Sequence, residues 1–407
     1  MDPSATAIGT WSGGRFMHFG EPVDDERMQA LLRPGDGIDT VITADVYGAG
    51  EADRLLQTSL RGVDRDSYCL IGAIGHDFYE GERDGAKGYP RFTDPRLRDE
   101  REYAGYIRTA TERSLARCGV ERFDVLLLHN PDHSGYSSAA VWEGMQAVRE
   151  AGLTRMLGVA PGPANGFTLD LIDCFERFSA QIDWAMIIMS PLEPWPGELV
   201  LEAADAHGVS LITRVVDYGG LFWDEELSDD DFAAHDHRRF RPPGWVRAGR
   251  ERLERMRPYA ERHGLTLLQL ACAWNLSQRP IRCVAPTLIQ ERGPDARPIE
   301  SKRAELAALG GRRSTVLPAQ SGDAARAEAG PHSVSGGAGL SAEEVRAIRA
   351  IGENVGSMAL KGASLEHEGS PRPDRWSLDG ELSAVAERWR IDPDRDLRRA
   401  DLSTARK

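Results

Sequence analysis

Residues 123–160, FDVLLLHNPDHSGYSSAAVWEGMQAVREAGLTRMLGVA, decide how the whole chain is read. Phe123–His129 is an almost continuous apolar run of strand length, the kind that forms when both faces of a strand are covered. Residues 141–152 carry a helical pattern, and 155–160 (RMLGVA) form a second apolar strand. A buried strand, an amphipathic helix and another buried strand make a parallel crossover unit.

The same rhythm runs outward in both directions. Toward the N-terminus, strands are expected near 8–19, at 37–43 and at 68–73, with helices at 52–60 and 103–119. Toward the C-terminus, strands are expected at 183–188, 209–214 and 282–286, with helices at 169–178, 199–207, 243–263 and 265–276. Eight such units in roughly 290 residues predict an α/β fold, a (β/α)8 TIM barrel, in preference to an open doubly wound sheet. The barrel is expected over 1–310. Residues 311–339 are rich in Gly, Ala and Ser and read as a flexible insertion. Residues 340–407 read as a helical extension and tail packing on the barrel. Its first helix is marked by Ser341 and Glu344 as a capping box.

Composition narrows the function. The 407 residues include 64 acids against 50 Lys and Arg, a formal charge of −14. That argues against nucleic acid as a partner, because neutralising phosphates takes a basic surface. No apolar stretch reaches the roughly 18 residues of a membrane span, and the N-terminus lacks the basic-then-apolar pattern of a secretory signal. Five scattered cysteines without a CxxC pair fit free thiols in a reducing compartment, so a cytoplasmic protein with a small-molecule substrate is expected.

In a barrel the site lies on the loops at the carboxyl ends of the strands. The residues there carry a resemblance. Thr43-Ala44-Asp45-Val46-Tyr47-Gly48 is followed by Gly50-Glu51 and Leu55-Leu56. Ser114-Leu115 and Cys118-Gly119 precede Phe123–His129. Glu150 to Arg155 leads to Gly158-Val159-Ala160, and Gly219-Gly220-Leu221 follows Arg214. In order and spacing these resemble the aldo-keto reductases over roughly residues 8–350. The resemblance implies NADP(H) laid across the strand ends and reduction of a carbonyl, with Tyr47 as proton donor and His129 orienting the substrate oxygen. It places cofactor contacts at Gly219, Gly220 and Leu221, and Arg214, Gln290 and Arg292, with Lys302 and Arg303, are candidate phosphate donors.

Two family positions depart. Where the family has a catalytic Asp and Lys, this chain has Ile42 and Ala73. A free phenol titrates near pH 10 and is a weak acid–base group near neutrality unless a cation lies beside it. Removing both charges together avoids stranding one of them in the interior. Asp45, His76 and Glu51 are candidate substitutes. A lyase, dehydratase or isomerase on the same barrel, or a non-catalytic nucleotide-binding relative, are the alternative functions.

Other features read more plainly. His129 and His133 follow a strand with Pro131 between them, so no metal site is expected. His235-Asp236-His237 reads as a solvated polar loop. The long segment after the third strand, with Arg83, Lys87, Arg91, Arg96 and Arg98, reads equally as a lid over an anionic or aromatic ligand and as a solvated insertion.

Overall fold

A computed structural model of the chain describes residues 1–84, 88–162, 167–228, 232–311, 339–354 and 381–397. Eight strands pair in sequence order, all parallel: β1 (Ala7–Gly9), β2 (Thr40–Ile42), β3 (Cys69–Ile74), β4 (Phe123–His129), β5 (Thr154–Ala160), β6 (Trp184–Ile188), β7 (Ser210–Arg214) and β8 (Ile281–Ala285). The ring closes through a parallel bridge between Thr6 and Val284, where the Val284 N–H donates to the Ala5 carbonyl at 2.9 Å. The expected (β/α)8 barrel is therefore the observed fold, with helices between the strands and C-terminal helices added.

The pleat sorts the side chains. Along β4, Val125 and Leu127 join the cluster that fills the barrel, while Leu126 and Leu128 pack against the surrounding helices. Continuing that alternation past Leu127 points His129 inward at the top of the barrel. The same count on β3 turns Ile71 and Ala73 inward, and on β7 it turns Ile212 and then Arg214 inward. Trp11 closes the mouth beside β1, and its ring lies where a Cβ at Gly9 would collide with it.

Boundaries moved where turns, not strands, hold the chain. The first strand is three residues long, because 12–14 already form a 3-10 turn. Three helices went unread in the sequence: Asp25–Leu32, capped by Asp24, the short His133–Ser137, capped by Asp132, and Ile299–Gly311. The expected 199–207 helix is split into a 3-10 turn, Gly197–Val200, and a helix, Leu201–Ala206.

Ser341 and Glu344 form the capping box and open the helix Ala342–Ile351. This helix packs on Trp245–Arg262, and the Trp274 indole donates to the Val345 carbonyl at 3.0 Å. The helix Glu381–Arg388 lies against Thr168–Phe178, tied by Arg388 to Glu176. Most of the 311–339 segment and of the tail lies outside the described residues.

Candidate active site

The carboxyl ends of the strands surround a small cavity of about 20 Å³. Tyr47 enters from the turn after β2, held by its N–H on the Ala44 carbonyl at 3.0 Å. His129 ends β4. The two rings meet edge to face, 5.7 Å between centroids at 86°. Ile42, Ala73, Ala160, Met186 and Trp11 make the rest of the wall largely hydrocarbon. Arg214, from the end of β7, is the one cation among the lining residues, and no carboxylate lines the cavity.

Burial sets the charge states. His129 is 8% exposed and its Nδ1 has no hydrogen-bond partner. Its pKa is held well below the ordinary value by burial, then by His76, Arg214 and Arg91, so the imidazole is neutral at pH 7. The Tyr47 phenol is pushed up by burial, with the Arg214 charge pulling the other way. No group among the described residues hydrogen-bonds the Tyr47 hydroxyl. Both groups are therefore protonated or neutral donors aimed at one space.

Behind His129 stands a second layer. The His76 ring lies 5.3 Å from the His129 ring. Its Nδ1 accepts from Arg91 at 2.8 Å, and its Nε2 faces the Asn130 amide at 3.1 Å. Burial and Arg91 lower His76 to about 3, so it too is neutral. Arg91 donates to the Asn130 carbonyl as well. It comes from the long segment after β3, which is pinned: Arg98 is buried, pairs with Asp77 at 2.5 Å and Glu80 at 2.8 Å, and lies 4.3 Å over the Tyr106 ring.

A separate open cleft of about 600 Å³ lies between the loops after β7 and β8 and residues 20–21. Seven carboxylates and three arginines line it. Arg238 is 1% exposed and bridges Asp236 at 2.7 Å and Glu291 at 2.6 Å, so its charge is fully spent. Arg292 pairs with Glu21 at 2.7 Å and Arg297 with Glu305 at 2.5 Å. In the turn after β7, the buried Asp217 carboxylate accepts from the Gly220 N–H at 2.9 Å and the Thr287 N–H at 2.6 Å. Burial raises it to about 6 against those two donors.

A model of the Aldo/keto reductase family matches residues 7–299. The chain belongs to the aldo/keto reductase family. A probable voltage-gated potassium channel subunit beta from Arabidopsis thaliana is 24% identical over 298 residues, 70% of this chain and 84% of that protein. Among solved structures, the glycerol dehydrogenase AKR11B4 from Gluconobacter oxydans superposes with a TM-score of 0.58 at 21% identity, covering 86% of this chain and 92% of that one. An aldo/keto reductase from Klebsiella pneumoniae in complex with NADP and acetate gives 0.51 at 18% identity, covering 86% and 91%. The family and these neighbours support an oxidoreductase, and no helix among the described residues is long and apolar enough to cross a membrane.

Of the residues singled out in this reductase sequence, Tyr47 and His129 share the cavity. Arg214 lies there with them, apart from the cleft. Gly219 and Gly220 adopt positive φ of 66° and 97° in the turn after β7, a path glycine follows without strain. Leu221 is buried against Gly249. The Gln290 amide oxygen accepts from Arg27 at 2.8 Å and from the Ile299 N–H at 3.1 Å, so this side chain ties loops together. Arg292 lines the cleft. Lys302 is buried on the Ile289 carbonyl and Glu225, and Arg303 is spent on the carbonyls of Leu31, Arg33 and Gly35.

The candidate substitutes lie outside the cavity wall. Glu51 pairs with Arg15 near the surface. Asp45 is fully buried with neither carboxyl oxygen hydrogen-bonded. His133 turns away to Asp170 at 2.7 Å. The reading of 235–237 as a solvated loop needs correction: Asp236 is 1% exposed and caps the Gly20 N–H at 2.9 Å. Met186 and Trp11 were not placed at the site from sequence, being marked only by their nearness to strand ends, while Arg91 was read only as part of a lid or a solvated insertion and stands instead behind His76.

Proposed function

We propose that this aldo/keto reductase reduces a carbonyl compound with NADP(H), Tyr47 delivering the proton and His129 orienting the substrate oxygen. One observation carries the reading: a phenol and a neutral imidazole, neither spent on another side chain, face one another in the cavity at the strand ends.

The residues fit a dinucleotide in size and in part in charge. The cleft is large and Arg292 stands on its rim, in a half-exposed pair with Glu21 that a phosphate can displace at small cost, since exposed pairs contribute about 0–1 kcal/mol. Arg292 and the Gly219-Gly220 turn would hold the cofactor, whose chemistry is to supply hydride to the carbonyl carbon. The excess of carboxylates makes that binding weaker than an all-basic cleft would give.

Within the cavity, Tyr47 and His129 each donate toward the substrate oxygen. As charge builds there, the Tyr47 proton transfers to it. Ile42 and Ala73 supply no charge to ease that step, and Arg214 is the cation whose field stabilises the phenolate left behind. General acid help of this kind contributes typically about 10²–10⁴-fold.

Titrating the purified chain with NADPH by fluorescence, then adding a panel of carbonyl compounds, tests the proposal. Binding with carbonyl-dependent oxidation, lost in Tyr47→Phe, is expected. Absence of binding at millimolar NADPH refutes it. The Arabidopsis relative described as a probable channel subunit favours one second reading, a non-catalytic nucleotide-binding protein. Binding without turnover on any carbonyl would establish that instead.

A further inference from the structure

Arg214 is inward by the strand's own pleat and stands in the same cavity as the reacting pair. One of its Nη atoms reaches the carbonyls of Pro161 at 3.2 Å and Gly162 at 3.4 Å. Its Nε and other Nη have no acceptor, and no carboxylate lies within 4 Å, among the described residues. The contrast with the rest of the chain is plain: Arg238 and Arg98 are also buried, and each holds two carboxylates. A guanidinium taken out of bulk water without an anion is costly, and its planar fork matches a carboxylate.

The surroundings favour a negative ligand further. Arg91, behind His76, likewise has no carboxylate within 4 Å among the described residues and adds its field at His129. Among the described residues no acid lines the cavity wall, and the buried Glu193 acts on Arg214 only from beyond ion-pair distance. The cavity is small, so the anionic group and the atom facing Tyr47 and His129 must belong to one short molecule.

We propose that the substrate is a short-chain 2-oxo acid, its carboxylate clamped by Arg214 and its ketone oxygen held by Tyr47 and His129. This rests on the reductase reading above and adds the substrate class to it. The balance is that of a two-electron reduction. A bound reduced nicotinamide would supply the hydride to the ketone carbon and be oxidised; the C=O π pair moves to oxygen, which takes the Tyr47 proton, leaving a 2-hydroxy acid and a phenolate that solvent reprotonates. With Arg214 engaged by the carboxylate, Tyr47 keeps its proton until the oxygen becomes basic enough to take it.

The test compares pyruvate with its neutral isostere pyruvamide, read by tryptophan fluorescence, since Trp11 lines the cavity. In the full chain pyruvate should bind at least about 10-fold more tightly, the scale of a charge-assisted bidentate contact. Arg214→Met should bring the two affinities together, and Arg214→Lys should retain only part of the difference because an ammonium lacks the fork. Equal binding of acid and amide by the unaltered chain overturns the proposal, and this holds even if Arg214→Met fails to fold. Preference for pyruvate persisting in Arg214→Met overturns it too. Charge-selective binding with no turnover would sink the reductase reading and leave the anion clamp standing. Equal turnover of neutral and acidic carbonyls would do the reverse.

Discussion

Asp45 offers a test of how charge is distributed around the site. Its side chain is fully buried, neither carboxyl oxygen has a hydrogen-bond partner, and burial followed by the nearby Asp53 charge pushes its pKa well above the ordinary value. In the unfolded chain the same group titrates near pH 3.9. The folded protein therefore holds a proton that the unfolded chain releases. The stability this gives is fully present below about pH 4 and is lost as pH rises toward the folded value, at about 1.4 kcal/mol per pH unit. Asp45→Asn removes the titration. The variant should match the parent near pH 4 and gain on it steadily as pH rises toward the folded value. Urea denaturation at intervals from pH 4 to 8 measures the difference, in which the shared titrations of Asp53 and Asp217 cancel. Asp45 does not line the cavity, so kcat/KM should not change. Parallel stability curves would show Asp45 ionised in the fold, held by Arg117 3.0 Å from neighbouring Asp53, and the reasoning would fail.

Three further outcomes follow from the same charges. Ile42→Asp and Ala73→Lys should each destabilise by about 3–5 kcal/mol as unpaired buried charges, while the double variant costs at least about 2 kcal/mol less than their sum and raises kcat/KM, measured as a double-mutant cycle. Glu21→Gln frees Arg292 and should tighten NADPH binding by up to about 5-fold in a fluorescence titration, an effect that fades at high salt. Arg238→Met strands Asp236 and Glu291 without their cation and should cost about 3–5 kcal/mol in chemical denaturation. An unchanged midpoint would show that those carboxylates are not charged in the fold.

The fold was legible because each strand is short, apolar and separated by one helix, and the pleat then carries the reading to the site. Counting by two from Leu127 points His129 inward, and counting by two from Ile212 points Arg214 inward just as firmly. Arg214 was nonetheless read as a phosphate donor, because its residue type and its neighbouring glycines outweighed its position on the strand. The pairing of charges was not legible at all. Arg238 meets Glu291 across 53 residues, and Lys302 meets Glu225 only because the loops after β7 and β8 close on one another. Asp236 looked solvated for the same reason, since its burial depends on Gly20 arriving from β1's loop. A strand dictates where its own side chain points, whereas the partner that neutralises it comes from another loop. That is why an inward cation on a strand, felt by the buried Glu193 only from a distance and paired with no carboxylate among the described residues, directs attention to a ligand that brings its own negative charge.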